Sequence, residues 1–342
     1  MDMDHKRIVI TGATGFIGSN LARLFLEKGT EVVVLVRPGS VHMEALPSHE
    51  RLRIVPCALE HVLDYVKEHK EEIGPAEGFF HLAWGGVNRE EIDSPEVQAR
   101  NVAASLDCVR AAHLLQCSVF MDAGSRVEYG AVDGQMKEEL ECHPINQYGK
   151  AKLEFYQKAV PLCKTLGMAY CHLRFFSVYG YGDHPWSIIS TLVRELRRDH
   201  TVSLSACLHQ WNFMYIEDAV QAVYELYQRF IGEKAWGPEA KPEDGIIVNL
   251  AGRDTRTLRS FVEEIHEIVG KKGSLEYGTF KQGKEGALSV CPDITRLEAL
   301  TGGWHEKYSF RQGILEMIER EEQSMAPKPE GHDNIQKEAE RI

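Results

Sequence analysis

The chain has 342 residues, 43% of them hydrophobic and 26% charged, which is enough apolar material for one large domain or two connected lobes. A formal net charge of −12 excludes a surface built to condense on nucleic acid or anionic lipid, because phosphates are repelled. The charged N-terminus MDMDHKR reads as no signal peptide, and no apolar run reaches the ~20 residues that span a bilayer, so a cytoplasmic protein away from membranes is expected. In chain order, RIVIT (7–11), EVVVLV (31–36), LRIVP (52–56), GFFHLA (78–83) and SVFMDA (118–123) are short β-rich apolar runs, as expected of strands buried on both faces of a parallel sheet. Helical patterns lie between them, notably IGSNLARLFLEKG (17–29) and VQARNVAASLDCVRAAHLL (97–115). Strand and helix in alternation imply right-handed βαβ crossovers and an α/β, doubly wound parallel sheet of the Rossmann type.

Further along, a helix opens at QYGKAK (147–152), and YCHLRFFSVYG (170–180) reads as another central strand. A helix at about 187–198 follows, then a strand and helix within NFMYIEDAVQAVYELYQRF, a strand at GIIVNLAG (245–252) and the helix LRSFVEEIHEIVG. The expected division is a dinucleotide-binding domain over 1–180, completed by about 213–230 and 245–252. A smaller α/β substrate-binding lobe covers 181–212 and 253–320, and 323–342 is a polar, Pro-containing mobile tail. The eight cysteines, Cys57, Cys108, Cys117, Cys142, Cys163, Cys171, Cys207 and Cys291, form no CxxC pair and read as free, mostly buried thiols.

The stretch TGATGFIG (11–18) sets Gly12, Gly15 and Gly18 directly after a strand and directly before a helix. The first glycine permits a tight turn, the second lets backbone approach a pyrophosphate, and the third lets helix and strand pack closely. Thr14, Phe16 and Ile17 complete the loop that would hold the dinucleotide. After the second strand an acid would accept bonds from an NAD ribose; Val36 stands there, followed by Arg37. A guanidinium suits a 2′-phosphate, with Ser40 adding a hydroxyl, so NADP is favoured over NAD.

Tyr148 and Lys152 are one helical turn apart, on one face. A phenol ordinarily titrates near 10, so acid–base work at neutral pH calls for a neighbouring ammonium. Together, TGATGFIG, HLA (81–83), NVAASLDCVRAA (101–112), GSRVEYG (124–130), YGKAK (148–152) and LRFFSVYGYGDHP (173–185) resemble the extended short-chain dehydrogenase/reductase family. More narrowly, the likeness is to its nucleotide-sugar epimerases, dehydratases and ketoreductases, over roughly residues 6–320. The resemblance implies that Ser125, Tyr148 and Lys152 are catalytic: Ser125 holds the substrate oxygen, Tyr148 exchanges its proton, and Lys152 tunes Tyr148 and binds the nicotinamide ribose. It also implies cofactor contacts from Leu82, Ala83, Phe175 and Val178. Asn101, expected to begin the fourth helix, has either a structural or a proton-relay role. Relatives pair through the helices at about 97–115 and 148–166, which implies a homodimer. Taken alone, Ser125 also reads as a cap and Tyr148 as an ordinary helix residue.

Departures from the family pattern narrow the chemistry. Arg126 and Val127 replace the Asp-Glu of the dehydratases, which argues against dehydration. Ala58 replaces an adenine-contacting Asp, and Ser177 a substrate-contacting Asn. Trp211 replaces the Arg expected at the nucleotide pyrophosphate, leaving that anion to Arg174, Arg194, Arg197 or Arg198, or else implying a different leaving portion. Trp84 walls the sugar pocket or simply packs; Arg126 and His184 complete the expected substrate contacts. No His/Cys/Asp cluster has metal-ligand spacing. The expectation is NADPH-dependent reduction of a nucleotide-linked 4-keto-6-deoxy-sugar. The alternatives are a nucleotide-sugar 4-epimerase that retains NAD, or a reductase of a small non-sugar carbonyl.

Overall fold

The computed structural model describes residues 6–88, 90–232, 244–280 and 289–325. Its central sheet contains β1 (Arg7–Thr11), β2 (Glu31–Val36), β3 (Leu52–Pro56), β4 (Gly78–His81), β5 (Val119–Ser125), β6 (Ala169–Phe175) and, later in the chain, β10 (Ile246–Leu250). The strand order is β10-β6-β5-β4-β1-β2-β3, and every neighbouring pair is parallel. Successive side chains point to opposite faces, so Ile8 and Ile10 enter one apolar layer and Val9 the other. The first layer is closed by α1 (Phe16–Glu27) and α6 (Ile216–Ile231), the second by α2 (Val62–Ile73), α3 (Pro95–Leu114) and α4 (Gln147–Thr165). This is the Rossmann-type doubly wound α/β fold. After β3 the chain returns to lay β4 on the other side of β1, so the topological switch point lies between the C-terminal ends of β1 and β4. In open α/β sheets that is where ligands bind.

The remaining strands make two small sheets. β7 (Ser177–Tyr179), β9 (Gln210–Tyr215) and β11 (Thr255–Thr257) lie in the order β11-β9-β7, while β8 (Thr201–Leu204) pairs in parallel with β12 (Ser274–Tyr277). Around them stand α5 (Ile188–Arg197), α7 (Leu258–Ile268), α8 (Thr295–Thr301) and α9 (Phe310–Met325). The first apolar layer continues into this region: the Phe261 ring stands 5.1 Å from Phe213 and 4.7 Å from Phe310, edge-on to both.

Three local expectations change. The run 170–180 is two strands, because β6 ends level with β5 (Ser125 pairs with Phe175) and the chain leaves the sheet at Phe176 to join a different one. Asn101 lies inside the third α-helix rather than at the start of a fourth, since Ser94 caps α3 by accepting from the Val97 amide and Pro95 opens it. Residues 323–325 belong to α9, and the rest of the expected tail lies outside the described residues. All eight cysteines are free and six are buried. Among the described residues no helix is long and apolar enough to cross a membrane.

Candidate active site

The loop after β1 is shaped by what its glycines lack. Gly12 has φ 74°, and a Cβ there would stand 2.6 Å from the Ala83 amide nitrogen. Only glycine lets this turn close against the strand-end residues Leu82 and Ala83. A Cβ on Gly18 would overlap the Gly12 carbonyl, which accepts the Gly15 amide at 3.0 Å. Gly15 stands at the N-cap of α1, which has no side-chain cap, so the first amides of the helix meet the open end of the sheet with Phe16 and Ile17 in the first turn. Ser40 donates to the Thr14 hydroxyl at 3.3 Å, tying the loop after β2 to the glycine turn. Arg37, the first residue past β2, is exposed. A backbone-lined cradle that a Cβ would fill, at a helix N-terminus, fits a dinucleotide pyrophosphate.

Ser125 is the last residue of β5, and α4 begins beside it. Asn146 caps α4 by accepting from Gly149 N at 2.8 Å, while the Tyr148 amide donates to Ile92 O at 3.1 Å. Lys152, one turn on, is buried; its ammonium donates to Ala123 O at 2.7 Å and sits 5.8 Å from the Tyr148 ring. Burial pushes the Tyr148 phenol up to about 12 and the nearby Glu128 charge adds to this, while hydrogen bonding with Ser125 pulls it down. Burial also lowers Lys152 to about 8, against the pull of Asp122 and Glu128. The arrangement therefore presents a neutral phenol beside an ammonium that titrates close to physiological pH.

Trp84 lies against this pair. Its ring centroid is 3.6 Å from Lys152 Nζ and 6.2 Å from the Tyr148 ring, and its indole N–H donates to Gln98 at 2.9 Å. Asn101 accepts from Gly85 N at 3.1 Å and donates to Gly85 O at 2.8 Å, fastening the loop that carries Trp84. His81, buried between the Thr11 and Ser105 hydroxyls at 2.8 Å each, is pushed down to about 3 by burial and by Lys152, so it is neutral.

The substrate-side residues divide. Arg126 lies with its guanidinium carbon 4.9 Å from the Trp211 ring centroid, and His209 stands edge-on to Trp211 at 5.4 Å. The indole N–H of Trp211 is buried with no hydrogen-bond partner among the described residues. Ser177 pairs with Phe213 and Val178 with Met214 across β7 and β9, while Phe175 ends β6 opposite Ser125. His184 is exposed and stacks on Trp186 at 4.5 Å, in the loop before α5. Arg174 cannot meet a substrate anion: it is 1% exposed and donates to Glu128 at 2.9 Å. Arg194 binds Glu195 and Pro185 O, and Arg197 binds Glu322. Arg198 caps the C-terminal end of α5 and is exposed.

Sequence reasoning passed over the residues behind Ser125. Asp122 and His172 lie opposite each other on β5 and β6, with His172 Nδ1 3.0 Å from the Asp122 carboxylate and Nε2 2.9 Å from Glu128. The other Glu128 oxygen accepts the Ser125 amide at 2.6 Å, which makes Ser125 the cap of a short 3-10 turn (Arg126–Glu128). The available signal was His172 and Arg174 two apart in an otherwise apolar strand, pointing polar groups to one buried face.

The Rossmann-type fold and the glycine loop at its switch point define a dinucleotide-dependent enzyme of the oxidoreductase type. The model of the NAD dependent epimerase/dehydratase family matches residues 8–235, and the chain belongs to that family. It is 29% identical over 330 residues to UDP-glucose 4-epimerase of Corynebacterium glutamicum, covering 91% of this chain and 94% of the relative. It is 25% identical over 337 residues to UDP-N-acetyl-alpha-D-glucosaminuronate decarboxylase of Bacillus cytotoxicus, covering 92% and 97%. Among solved structures, MoeE5 in complex with UDP-glucuronic acid and NAD is 25% identical with a TM-score of 0.76, covering 93% of this chain and all of that one.

Proposed function

We propose that the protein reduces a nucleotide-linked 4-keto-6-deoxy-sugar to the 4-hydroxy sugar with NADPH. The observation that supports this reading is that Ser125 ends β5 while Tyr148 and Lys152 open α4, with Lys152 against Trp84, the residue after the Ala83 on which the Gly12 turn closes. A nicotinamide dinucleotide, when bound, supplies hydride transfer. The chain's own residues do the rest: Ser125 holds the carbonyl oxygen, and the neutral Tyr148 phenol donates a proton to it. The Lys152 ammonium stabilises the phenolate left behind, and that charge holds its proton in place. Arg37 and Ser40 meet the 2′-phosphate. Dehydration is disfavoured, because Arg126 and Val127 are not acidic and the Glu128 carboxylate that follows them is committed to His172 and Arg174. Arg126 on Trp211 takes over the nucleotide pyrophosphate from the missing arginine, with Trp84, Ser177 and His184 framing the sugar side. Residues 181–212 and 253–320 form the substrate lobe, and pairing of α3 and α4 between two copies makes a homodimer.

A second reading, 4-epimerisation with retained NAD, is favoured by the names of the relatives and by NAD in MoeE5. One experiment separates the two. Nucleotide released from the purified protein is identified, and NADPH oxidation is followed against a panel of CDP-, dTDP-, UDP- and GDP-4-keto sugars. Consumption of NADPH supports reduction; tightly held NAD with no net redox change supports epimerisation and sinks the first reading.

A further inference from the structure

Four ionisable side chains, each no more than 1% exposed, lie in a line directly behind Ser125: Asp122 from β5, Glu128 from the 3-10 turn, and His172 and Arg174 from β6. Burying two carboxylates is costly unless each is paired and hydrogen-bonded, and here they are. Asp122 is 3.0 Å from His172 Nδ1, and a single Glu128 oxygen meets His172 Nε2 and Arg174 Nε at 2.9 Å each. With His172 protonated, two cations face two anions and the cluster is neutral. Also facing it are Tyr170 on β6, 3.4 Å from His172 Nδ1, Tyr156 on α4, with ring centroids 5.0 Å apart, Tyr129, Cys142 and the Glu138 carbonyl against Arg174, and the Lys152 ammonium on the side of Asp122 and Glu128. The second Glu128 oxygen ends the line on the Ser125 amide at 2.6 Å.

We propose that Glu128 is a positioning residue: its carboxylate, clamped between His172 and Arg174, holds the end of β5 so that the Ser125 hydroxyl meets Tyr148, and sets the charge behind the Tyr148–Lys152 pair. Three observations support it. The Ser125 hydroxyl is fixed by the same turn, because the Val127 amide donates to it at 3.4 Å and Glu128 closes the reciprocal half of the capping box. A Cβ on Gly124 would stand 2.7 Å from His172 Cε1, closer still to Nε2, and 2.9 Å from Glu128 Oε1, so the strand before Ser125 is moulded around the His172–Glu128 contact. The Glu128 charge also reaches the pair, opposing loss of the Lys152 proton and ionisation of Tyr148.

The inference rests on carbonyl–alcohol chemistry at Ser125 and Tyr148, and the test separates the two ideas. Glu128→Gln keeps an oxygen for the Ser125 amide and removes the charge. The expected result is dinucleotide affinity within about twofold of wild type, sugar-nucleotide KM within about threefold, kcat down about tenfold or more, and the alkaline limb of the kcat profile moved to lower pH. Glu128→Asp, which keeps the charge, should recover part of kcat. In a Ser125→Ala background the Gln substitution should cost no more than about twofold further, because the two residues act as a unit. Wild-type kcat and an unmoved limb in Glu128→Gln, or full additivity with Ser125→Ala, overturns the proposal. If Glu128→Gln does not fold, or if the wild type turns over no sugar nucleotide (which would sink the functional reading instead), 15N NMR of the wild-type histidines decides. A His172 ring protonated on both nitrogens at pH 7.5 supports the clamp; a neutral His172 at that pH overturns it.

Discussion

Replacing Trp84 with Leu removes the aromatic face on which the Lys152 ammonium rests, and the size of the effect follows from the geometry. The ammonium stands 3.6 Å from the ring centroid and is buried, with the Ala123 carbonyl as its hydrogen-bond acceptor. A cation over an indole is worth about 0.5–1 kcal/mol when exposed and about 2 kcal/mol when desolvated. At about 1.4 kcal/mol per pKa unit, losing the desolvated interaction of about 2 kcal/mol lowers Lys152 by roughly one and a half units. Burial already holds Lys152 at about 8. The variant's lysine therefore loses its proton near neutrality, and the alkaline limb of kcat should move acidward by about one and a half pH units. The assay is the pH dependence of turnover at saturating substrates, with a thermal melt to check folding, since Gln98 also loses its indole donor. A limb that stays within about 0.3 of a unit of wild type would refute the view that Trp84 sustains the Lys152 charge.

Tyr148→Phe should bind dinucleotide as wild type does while kcat falls by about 10²–10⁴-fold, the usual worth of a positioned general acid; fluorescence titration and turnover check the two halves. Gly12→Ala should lower both melting temperature and dinucleotide affinity: the residue sits at φ 74°, where a side chain costs roughly 1–2 kcal/mol, and its Cβ would be driven into Ala83 backbone. Arg37→Ala should weaken NADP binding about tenfold or more and leave NAD binding nearly unchanged, measured by calorimetry. For stability against pH, Asp122 and Glu128 outweigh burial and raise His172 from 6.5 to about 9, so its contribution is fully present below 6.5 and declines as pH rises through 9. Lys152, lowered from 10.5 to about 8, works in the opposite direction only above 8. Chemical denaturation between pH 6.5 and 8 should therefore show falling stability in the wild type, and a flatter dependence in Asp122→Asn.

Much of this was legible from local pattern. Buried parallel strands are continuous apolar runs, and glycines in a strand–turn–helix context announce a phosphate cradle, so the sheet, the Gly12 loop and the Tyr148–Lys152 spacing could be read residue by residue. The break at Phe176 was not, because an apolar run does not say which sheet it joins. Neither was the fate of Arg174: an arginine in a motif looks available until its partner Glu128, in the turn after β5, is seen. Trp84 likewise revealed its neighbour only in space, since Lys152 lies far along the chain on a helix that packs beside α3.

The sequence alone therefore determined the α/β class, through strand and helix in alternation, and the glycine loop and the Tyr148–Lys152 spacing, which are local patterns of a few residues. Which charges face the substrate and which are buried behind it was decided by folding. Asp122, Glu128, His172 and Arg174 become one network only when β5 and β6 align in parallel register, and long-range register is set by the packing of both sheet faces together.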